Sequence, residues 1–199
     1  MLFIAGAYSY AHQPGPPKLS KQAKAVQIAT APSSVKPKAV AIAAYTVAPT
    51  LPKYISIPSI GIGTTRIIQL GLLSNGQIAT PDNIYDTGWF NQSAQPGQYG
   101  AMFIYGHVSS WTADGIFYNL KKLKPGSDVT IIRGDNTFYI YRVVTTKIYP
   151  YNNVPMSSVL APIQSGTPGL NLMTCTGSVI KGTSEFNERL VVYTSLVSR

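Results

Sequence analysis

The stretch KYISIPSI, residues 53–60, alternates apolar and polar side chains as a half-buried β-strand does. Similar short runs follow it along the chain, and turn-forming groups such as Pro96-Gly97 and Gly134-Asp135-Asn136 lie between them. These runs are RIIQLGLL (66–73), GQIATP (76–81), AMFIYGH (101–107), DVTIIRG (128–134), TFYIYRVVTTKIY (137–149), GLNLMTC (169–175) and RLVVYTSLV (189–197). Regularly spaced short strands predict an all-β domain, either an antiparallel barrel or a sandwich, with one short helical turn from GIFYNLKKLK (115–124).

The composition agrees with a β-rich domain. The chain has 199 residues, of which 45% are hydrophobic, and this is enough for one domain with a proper core. Its 17 glycines, 15 prolines and 13 tyrosines suit a fold of strands and turns better than a helical one. Cys175 is the only cysteine, so an internal disulfide is excluded and packing alone must hold the fold.

The net charge of +9 is unevenly distributed along the chain. Residues 1–81 contain seven basic side chains and no acidic one, whereas residues 82–199 contain nine basic and seven acidic side chains. A groove that binds nucleic-acid phosphates needs lysines and arginines clustered on the folded surface. Because most of the excess charge lies in the N-terminal part, we expect no nucleic-acid partner.

The N-terminal part is divided into two segments before the folded domain of residues 53–199. Residues 1–11, MLFIAGAYSYA, are apolar but shorter than the roughly 20 residues of a spanning helix. We interpret them as the remnant of an N-terminal membrane anchor, although the lysines that follow favour the cytoplasmic side. Residues 12–52 hold seven of the fifteen prolines and are predicted to form a Pro/Ala/Lys-rich linker. The linker is long enough to fold back over the domain and cover the surroundings of Cys175.

Three residues that could carry chemistry stand at the ends of predicted strands: His107, Cys175 and Arg189. A cysteine attacks a carbonyl carbon as its thiolate, which a nearby cation favours. A histidine beside it can transfer the proton to and from the reacting amine. A guanidinium can stabilise the oxyanion of the tetrahedral intermediate. The three side chains together are sufficient for acyl transfer through a thioester.

Composition and spacing leave other interpretations open. A single cysteine in a strand can be a small buried hydrophobic residue. His107 can bond a backbone carbonyl, and Arg189 can pair with Glu185 or Glu188 on the surface. The chain would then be a non-catalytic cell-surface β-barrel binding module with an inert cysteine.

Four stretches together resemble the sortases, the cysteine transpeptidases of Gram-positive cell envelopes. They are GWFNQSAQPGQYGAMFIYGHVSS (88–110), GIFYNLKKLKPGSDVTII (115–132), LMTC (172–175) and RLVVYT (189–194), and the likeness extends over residues 53–197. The resemblance implies a mainly β domain with one or two short helices, built as a closed eight-stranded sortase-type barrel. The run before His107 most resembles class F, with classes E and D next, whereas CTG at 175–177 departs from the CGG common in class F.

The resemblance also implies a role for each matching residue. Cys175 would attack the Thr–Gly bond of an LPxTG-like sorting signal, and His107 would act as general acid and then as general base. Arg189 would hold the substrate backbone and the oxyanion, and Thr174 would help to shape that pocket. An amine of a peptidoglycan precursor or of a pilin lysine would resolve the thioester. The enzyme would be held in the cell membrane by a single-pass N-terminal anchor, with its catalytic domain, residues 53–199, outside the cytoplasm.

We expect no cofactor and no metal ion. A calcium ion requires several converging oxygen ligands, whereas the seven carboxylates of this chain are mostly scattered singly. Other cysteine enzymes fit less well, because papain-like hydrolases usually place Cys before His, and the Ser-His-Gly-Cys run of L,D-transpeptidases is missing from the sequence. Substrate choice is expected to depend on the loop contacts of residues 146–166.

Overall fold

Strands dominate the chain in the computed structural model, which describes residues 32–199. Two short helices, α1 (Ala39–Ala43) and α2 (Met156–Val159), and two 3-10 turns, Pro58–Ile60 and Leu120–Lys122, accompany them. The strands are β1 Pro52–Ile57, β2 Ile62–Leu70, β3 Thr87–Phe90, β4 Ala101–Gly106, β5 Asp128–Arg133, β6 Phe138–Pro150, β7 Gly169–Val179 and β8 Phe186–Ser198. They close into a barrel in the order β1-β2-β3-β4-β7-β8-β6-β5. The predicted fold class, mainly β with a closed eight-stranded barrel, is confirmed.

The pairing directions differ from a purely antiparallel barrel. β2 and β3 run parallel, and so do β4 and β7, whereas the other neighbours are antiparallel. A parallel pair needs a long crossover connection, and β5, β6 and α2 lie between β4 and β7 in the chain. The barrel expected from the strand spacing therefore contains two parallel pairs among its antiparallel ones.

One of the eight predicted strands was placed in the wrong segment. Residues 76–81 form no strand and contribute only an isolated bridge between Leu72 and Ile78. The strand at this point of the barrel is β3, in which all four residues are buried. A strand buried on both faces lacks the alternation that reveals a half-buried one, and Gly88 weakens its strand propensity further.

Strands β4 and β7 carry apolar side chains on both of their faces. Ile104 and Leu172 belong to the cluster inside the barrel, to which all eight strands contribute. The side chains next to them, Phe103 and Met173, belong to a second cluster that also contains Val159 of α2. Since neighbouring side chains of a strand point to opposite faces, this second cluster lies on the outside of the barrel, under the connection between β6 and β7. We refer to it below as the outer cluster.

The described part of the predicted linker, residues 32–51, lies against the barrel. The Tyr54 hydroxyl donates to the Ile42 carbonyl at 2.5 Å, and the Tyr45 hydroxyl donates to the Ile67 carbonyl at 2.8 Å. These bonds tie α1 and the residues after it to β1 and β2.

Residues 1–31, which include the predicted anchor remnant and the first part of the linker, lie outside the described residues. Within residues 32–199, no helix has the length and the apolar character needed to cross a membrane.

Candidate active site

Cys175 and Arg189 face each other across two neighbouring strands. The register of the antiparallel β7–β8 pair places them directly opposite one another. The Cys175 side chain belongs to the outer cluster, and only 7% of the residue is exposed. The sulfur thus lies on the outer face of the barrel, within the outer cluster.

His107 reaches the same end of the barrel through the parallel pairing of β4 with β7. That pairing places Tyr105 opposite Met173, so the carboxyl end of β4 lies beside Thr174 and Cys175. The Thr174 hydroxyl donates to the carbonyl of Gly106, the residue before His107, at 2.7 Å. Thr174 therefore ties β7 to β4 directly beside the histidine.

The His107 ring is buried and bonded to the backbone. Its Nε2 atom lies 2.8 Å from the Pro81 carbonyl oxygen. A carbonyl oxygen can only accept a hydrogen bond, so Nε2 carries a proton and Nδ1 is the basic nitrogen of the neutral ring.

Tyr105 connects the thiol to the histidine. Its hydroxyl oxygen lies 3.0 Å from Sγ of Cys175, and its ring meets the His107 ring edge-on, with 6.0 Å between the centroids. From the sequence alone, Tyr105 is only one residue of a predicted strand. Its position two residues before His107 was the available signal, because residues i and i+2 of a strand share a face.

Arg189 is buried, with 2% of the residue exposed. Nη1 donates to the carbonyls of Phe186 and Glu188 at 2.8 and 3.0 Å, and Nη2 donates to Glu185 Oε2 at 2.8 Å. The guanidinium also lies 5.8 Å from the centroid of the Tyr151 ring. Arg189 does pair with Glu185, as the alternative interpretation held, but in a buried position beside the cysteine rather than on the open surface.

Burial and charge shift the pKa of the Cys175 thiol in opposite directions. Burial raises the pKa of Cys175, while the positive charge of Arg189 and the hydrogen bond from Tyr105 lower it. Burial also lowers the pKa of His107, against a smaller raising effect of the Pro81 hydrogen bond. The resting site thus favours a neutral thiol and a neutral imidazole.

Partly exposed apolar side chains surround the outer cluster. Val108 follows the histidine, and Val154, Met156 and Ile163 come from the connection between β6 and β7. They form an apolar wall beside the cysteine. Over residues 32–199, no three His, Cys, Asp or Glu side chains are grouped so that they could hold a metal ion.

Comparison with known proteins points to one family. A sequence profile of the sortase domain matches residues 55–197. Similar solved structures include a lid mutant of sortase A from Corynebacterium diphtheriae (24% identity, TM-score 0.56, covering 76% of this chain and 72% of that one). Sortase C2 of Group B Streptococcus Pilus Island 1 has 21% identity and a TM-score of 0.57, with coverages of 83% and 82%. A Clostridium perfringens sortase D5 transpeptidase has 23% identity and a TM-score of 0.53, with coverages of 73% and 78%.

At these identities the solved structures support the fold. A search of curated proteins found no match. The family is shown by the sortase-domain profile, which covers more than half of the chain. The chain belongs to the sortase family of cell-surface cysteine transpeptidases.

Proposed function

We propose that this sortase cleaves an LPxTG-like sorting signal between Thr and Gly and transfers the cleaved protein to an amine of the cell wall or of a pilin. The observation that carries the proposal is the pairing of Cys175 with Arg189 across β7 and β8, at the strand end where His107 also lies. A potential nucleophile, a potential proton carrier and a cation at one end of the barrel support the proposal.

In the first half of the reaction, the neutral Cys175 thiol gives its proton to neutral His107, and Sγ attacks the carbonyl carbon of the substrate threonine as a thiolate. The tetrahedral intermediate collapses with cleavage of the C–N bond. Protonated His107 gives its proton to the departing glycine amine, and a thioester remains on Cys175.

In the second half, the acceptor amine attacks the thioester carbonyl. His107 takes the proton from the amine, the C–S bond breaks, and the thiolate returns. His107 therefore acts first as general acid and then as general base.

Arg189 can serve both half-reactions from its fixed position. A guanidinium has five N–H groups, and three hydrogen bonds of Arg189 are directed to groups within residues 32–199. The two remaining donors bond no group within residues 32–199, and they would bind the substrate backbone and the oxyanion. Thr174 supports this pocket by tying β7 to the carbonyl of Gly106.

The apolar wall of Val108, Val154, Met156 and Ile163 fits the leucine and proline of such a signal. The last three belong to the segment 146–166, where we place the determinants of substrate choice. Substitution of these side chains would change the preferred motif while leaving the chemistry of Cys175 in place.

Within the family we place the chain nearest class F, on the run of residues 88–107. For the whole chain we propose an N-terminal anchor remnant at residues 1–11, a linker at 12–52 and a catalytic domain at 53–199. That domain would lie outside the cytoplasm, held to the membrane by a single-pass anchor.

The test is mass spectrometry of the purified protein mixed with LPxTG peptides and an amine. We expect an acyl-enzyme adduct or a transfer product with the wild type and neither with Cys175→Ala, and strong losses of product with His107→Ala and Arg189→Ala. The absence of any product over a panel of peptides, together with a Cys175 that resists iodoacetamide, would favour the inert binding module.

A further inference from the structure

We propose that Tyr105 is a positioning residue for this reaction: its hydroxyl donates a hydrogen bond to Sγ of Cys175 and holds the sulfur beside the His107 ring. The catalytic consequence rests on the function proposed above. The hydrogen bond itself belongs to the resting protein and can be measured without substrate.

The buried phenol of Tyr105 has Sγ of Cys175 as its hydrogen-bond partner. Tyr105 is 1% exposed, and its hydroxyl oxygen lies 3.0 Å from the sulfur. A buried tyrosine hydroxyl needs a hydrogen-bond partner, and Sγ is the partner that the structure gives it among residues 32–199. The bond is therefore the only one that a Tyr105→Phe substitution would remove in this part of the chain, while the ring and its packing remain.

The direction of the hydrogen bond between Tyr105 and Cys175 is fixed once the thiol ionises. A thiolate has no proton, so the phenol must be the donor once Cys175 ionises. Tyr105 can keep its proton in this role, because burial, together with the neighbouring Cys175, raises its pKa well above the usual value for tyrosine. A hydrogen bond donated to the charged form of a group favours that form.

The strands on either side of Tyr105 hold it rigidly. Tyr105 lies in β4, between β3 and β7, with Gly88 and Met173 as its partners in register. Its ring meets the His107 ring at 77°, so one side chain contacts both reacting groups. A site held by strands keeps its geometry better than one held by loops.

Tyr105 forms no covalent bond at any step. The sulfur changes from thiolate to thioester and back while the phenol retains its proton. The hydrogen bond is strongest to the thiolate, and it weakens as the negative charge leaves the sulfur for the oxyanion. Loss of the bond should therefore slow formation of the thioester through a smaller population of thiolate.

The test is the pH dependence of iodoacetamide alkylation, which reports on a single thiol because the chain has one cysteine. In Tyr105→Phe we expect the midpoint to move to higher pH by about one unit, a roughly tenfold loss of thiolate at lower pH. We expect kcat/KM with an LPxTG peptide to fall about as far, with little change in Tm.

The matched control is Tyr141→Phe. Tyr141 is also fully buried, and its hydroxyl accepts a hydrogen bond from the Gly97 amide at 2.9 Å, away from the cysteine. This variant should lose some stability and keep the alkylation midpoint of the wild type. A midpoint in Tyr105→Phe that equals the wild-type value, or lies below it, would overturn the proposal.

A double-mutant cycle of unfolding gives a second measurement that needs neither turnover nor alkylation. If the hydroxyl and the sulfur interact directly, Tyr105→Phe and Cys175→Ala should be non-additive, by about fivefold in the unfolding equilibrium constant. Additive effects would contradict the hydrogen bond. Failure of the wild type to process any peptide would instead contradict the proposed function, and the midpoint comparison would still decide the role of Tyr105.

Discussion

At Cys175, the protein environment opposes ionisation and favours it at the same time. Burial disfavours the thiolate, whereas Arg189 across the strand pair and the Tyr105 hydroxyl stabilise it. Glu185, which pairs with Arg189 at 2.8 Å, acts against both of them by raising the pKa of the thiol. Reactivity is thus set by a small group of opposing charges and dipoles, and a change in any one of them should alter the titration of the thiol.

The pH dependence of turnover follows from two of these residues. The pKa of His107 is lowered from 6.5, and the pKa of Cys175 is raised from 9.0. A profile of kcat/KM against pH should therefore fall on its acidic side below pH 6.5, because His107 of the free enzyme becomes protonated there. It should fall on its alkaline side above pH 9.0, because the thiol ionises. The plateau between them should be broad. A narrow maximum, with both limbs between pH 6.5 and 9.0, would contradict these two shifts.

At the scale of elements, the site depends on the parallel pairing of β4 with β7. The pairing brings the carboxyl end of β4 level with Thr174 and Cys175 of β7. It places His107 next to them although the histidine and the cysteine lie 68 positions apart in the chain. The hydrogen bond from the Thr174 hydroxyl to the Gly106 carbonyl joins β7 to β4 at this point.

Thr174→Val should separate this local role from general stability. The substitution removes the buried bond to the Gly106 carbonyl, with an expected cost of about 1 kcal/mol in the free energy of unfolding. We expect a fall in kcat/KM as well, because the residue before His107 loses its anchor. Chemical denaturation and peptide turnover measure the two effects.

The control is Thr194→Val, which removes a similar buried bond, from Thr194 to the Leu170 carbonyl at 2.6 Å, far along the strands from Cys175. It should destabilise the barrel to a similar degree and leave turnover nearly unchanged. Equal losses of turnover in both variants would mean that Thr174 acts through stability alone.

Gly115 supports the histidine from the following loop. A Cβ atom at this position would collide with the backbone carbonyl of His107, which cannot move away as a flexible side chain could. Gly115→Ala should therefore destabilise the fold by about 1–3 kcal/mol, as overpacking does, and displace His107 with a loss of turnover. Gly63→Ala is the matched control, since a Cβ at Gly63 meets nothing within 4 Å. Thermal unfolding and kcat/KM of the two variants check the prediction.

At the scale of the whole molecule, residues 32–36 join the two loops that flank His107. Ser33 exchanges backbone hydrogen bonds with the loop after Pro81, donating to Asp82 at 2.7 Å and accepting from Ile84 at 3.0 Å. On the other side, the Ser34 hydroxyl accepts from the Thr112 hydroxyl at 3.3 Å. These bonds brace the loop whose Pro81 carbonyl bonds the His107 ring.

A comparison of two truncations tests this bracing role against the covering role predicted for the linker. Deletion of residues 1–31 keeps all of these bonds, and deletion of residues 1–36 removes them. We expect the longer deletion to lower kcat/KM about fivefold relative to the shorter one, the effect of roughly one lost hydrogen bond. A rise in turnover on the longer deletion would instead indicate that residues 32–36 cover the surroundings of Cys175.

The sequence by itself determined the strands with one buried face, and it supplied the candidates for the reactive side chains. The alternation in residues 53–60 and 137–149 reports burial of one strand face, and this is a local property of the chain. Cys175, His107 and Arg189 became candidates because each stands at the end of a predicted strand and carries a group that acyl transfer uses, and the resemblance to the sortases implied the role of each.

Only the tertiary structure determined the other features of the fold and of the candidate site. It made a strand of residues 87–90, aligned β4 parallel to β7, buried Arg189 and gave the Tyr105 hydroxyl the sulfur of Cys175 as its partner. Each of these depends on which strands become neighbours when the barrel closes. Neighbours in the barrel can lie 70 or more residues apart in the chain, as Tyr105 and Cys175 do. Hydrophobic periodicity within one strand says nothing about the strand beside it.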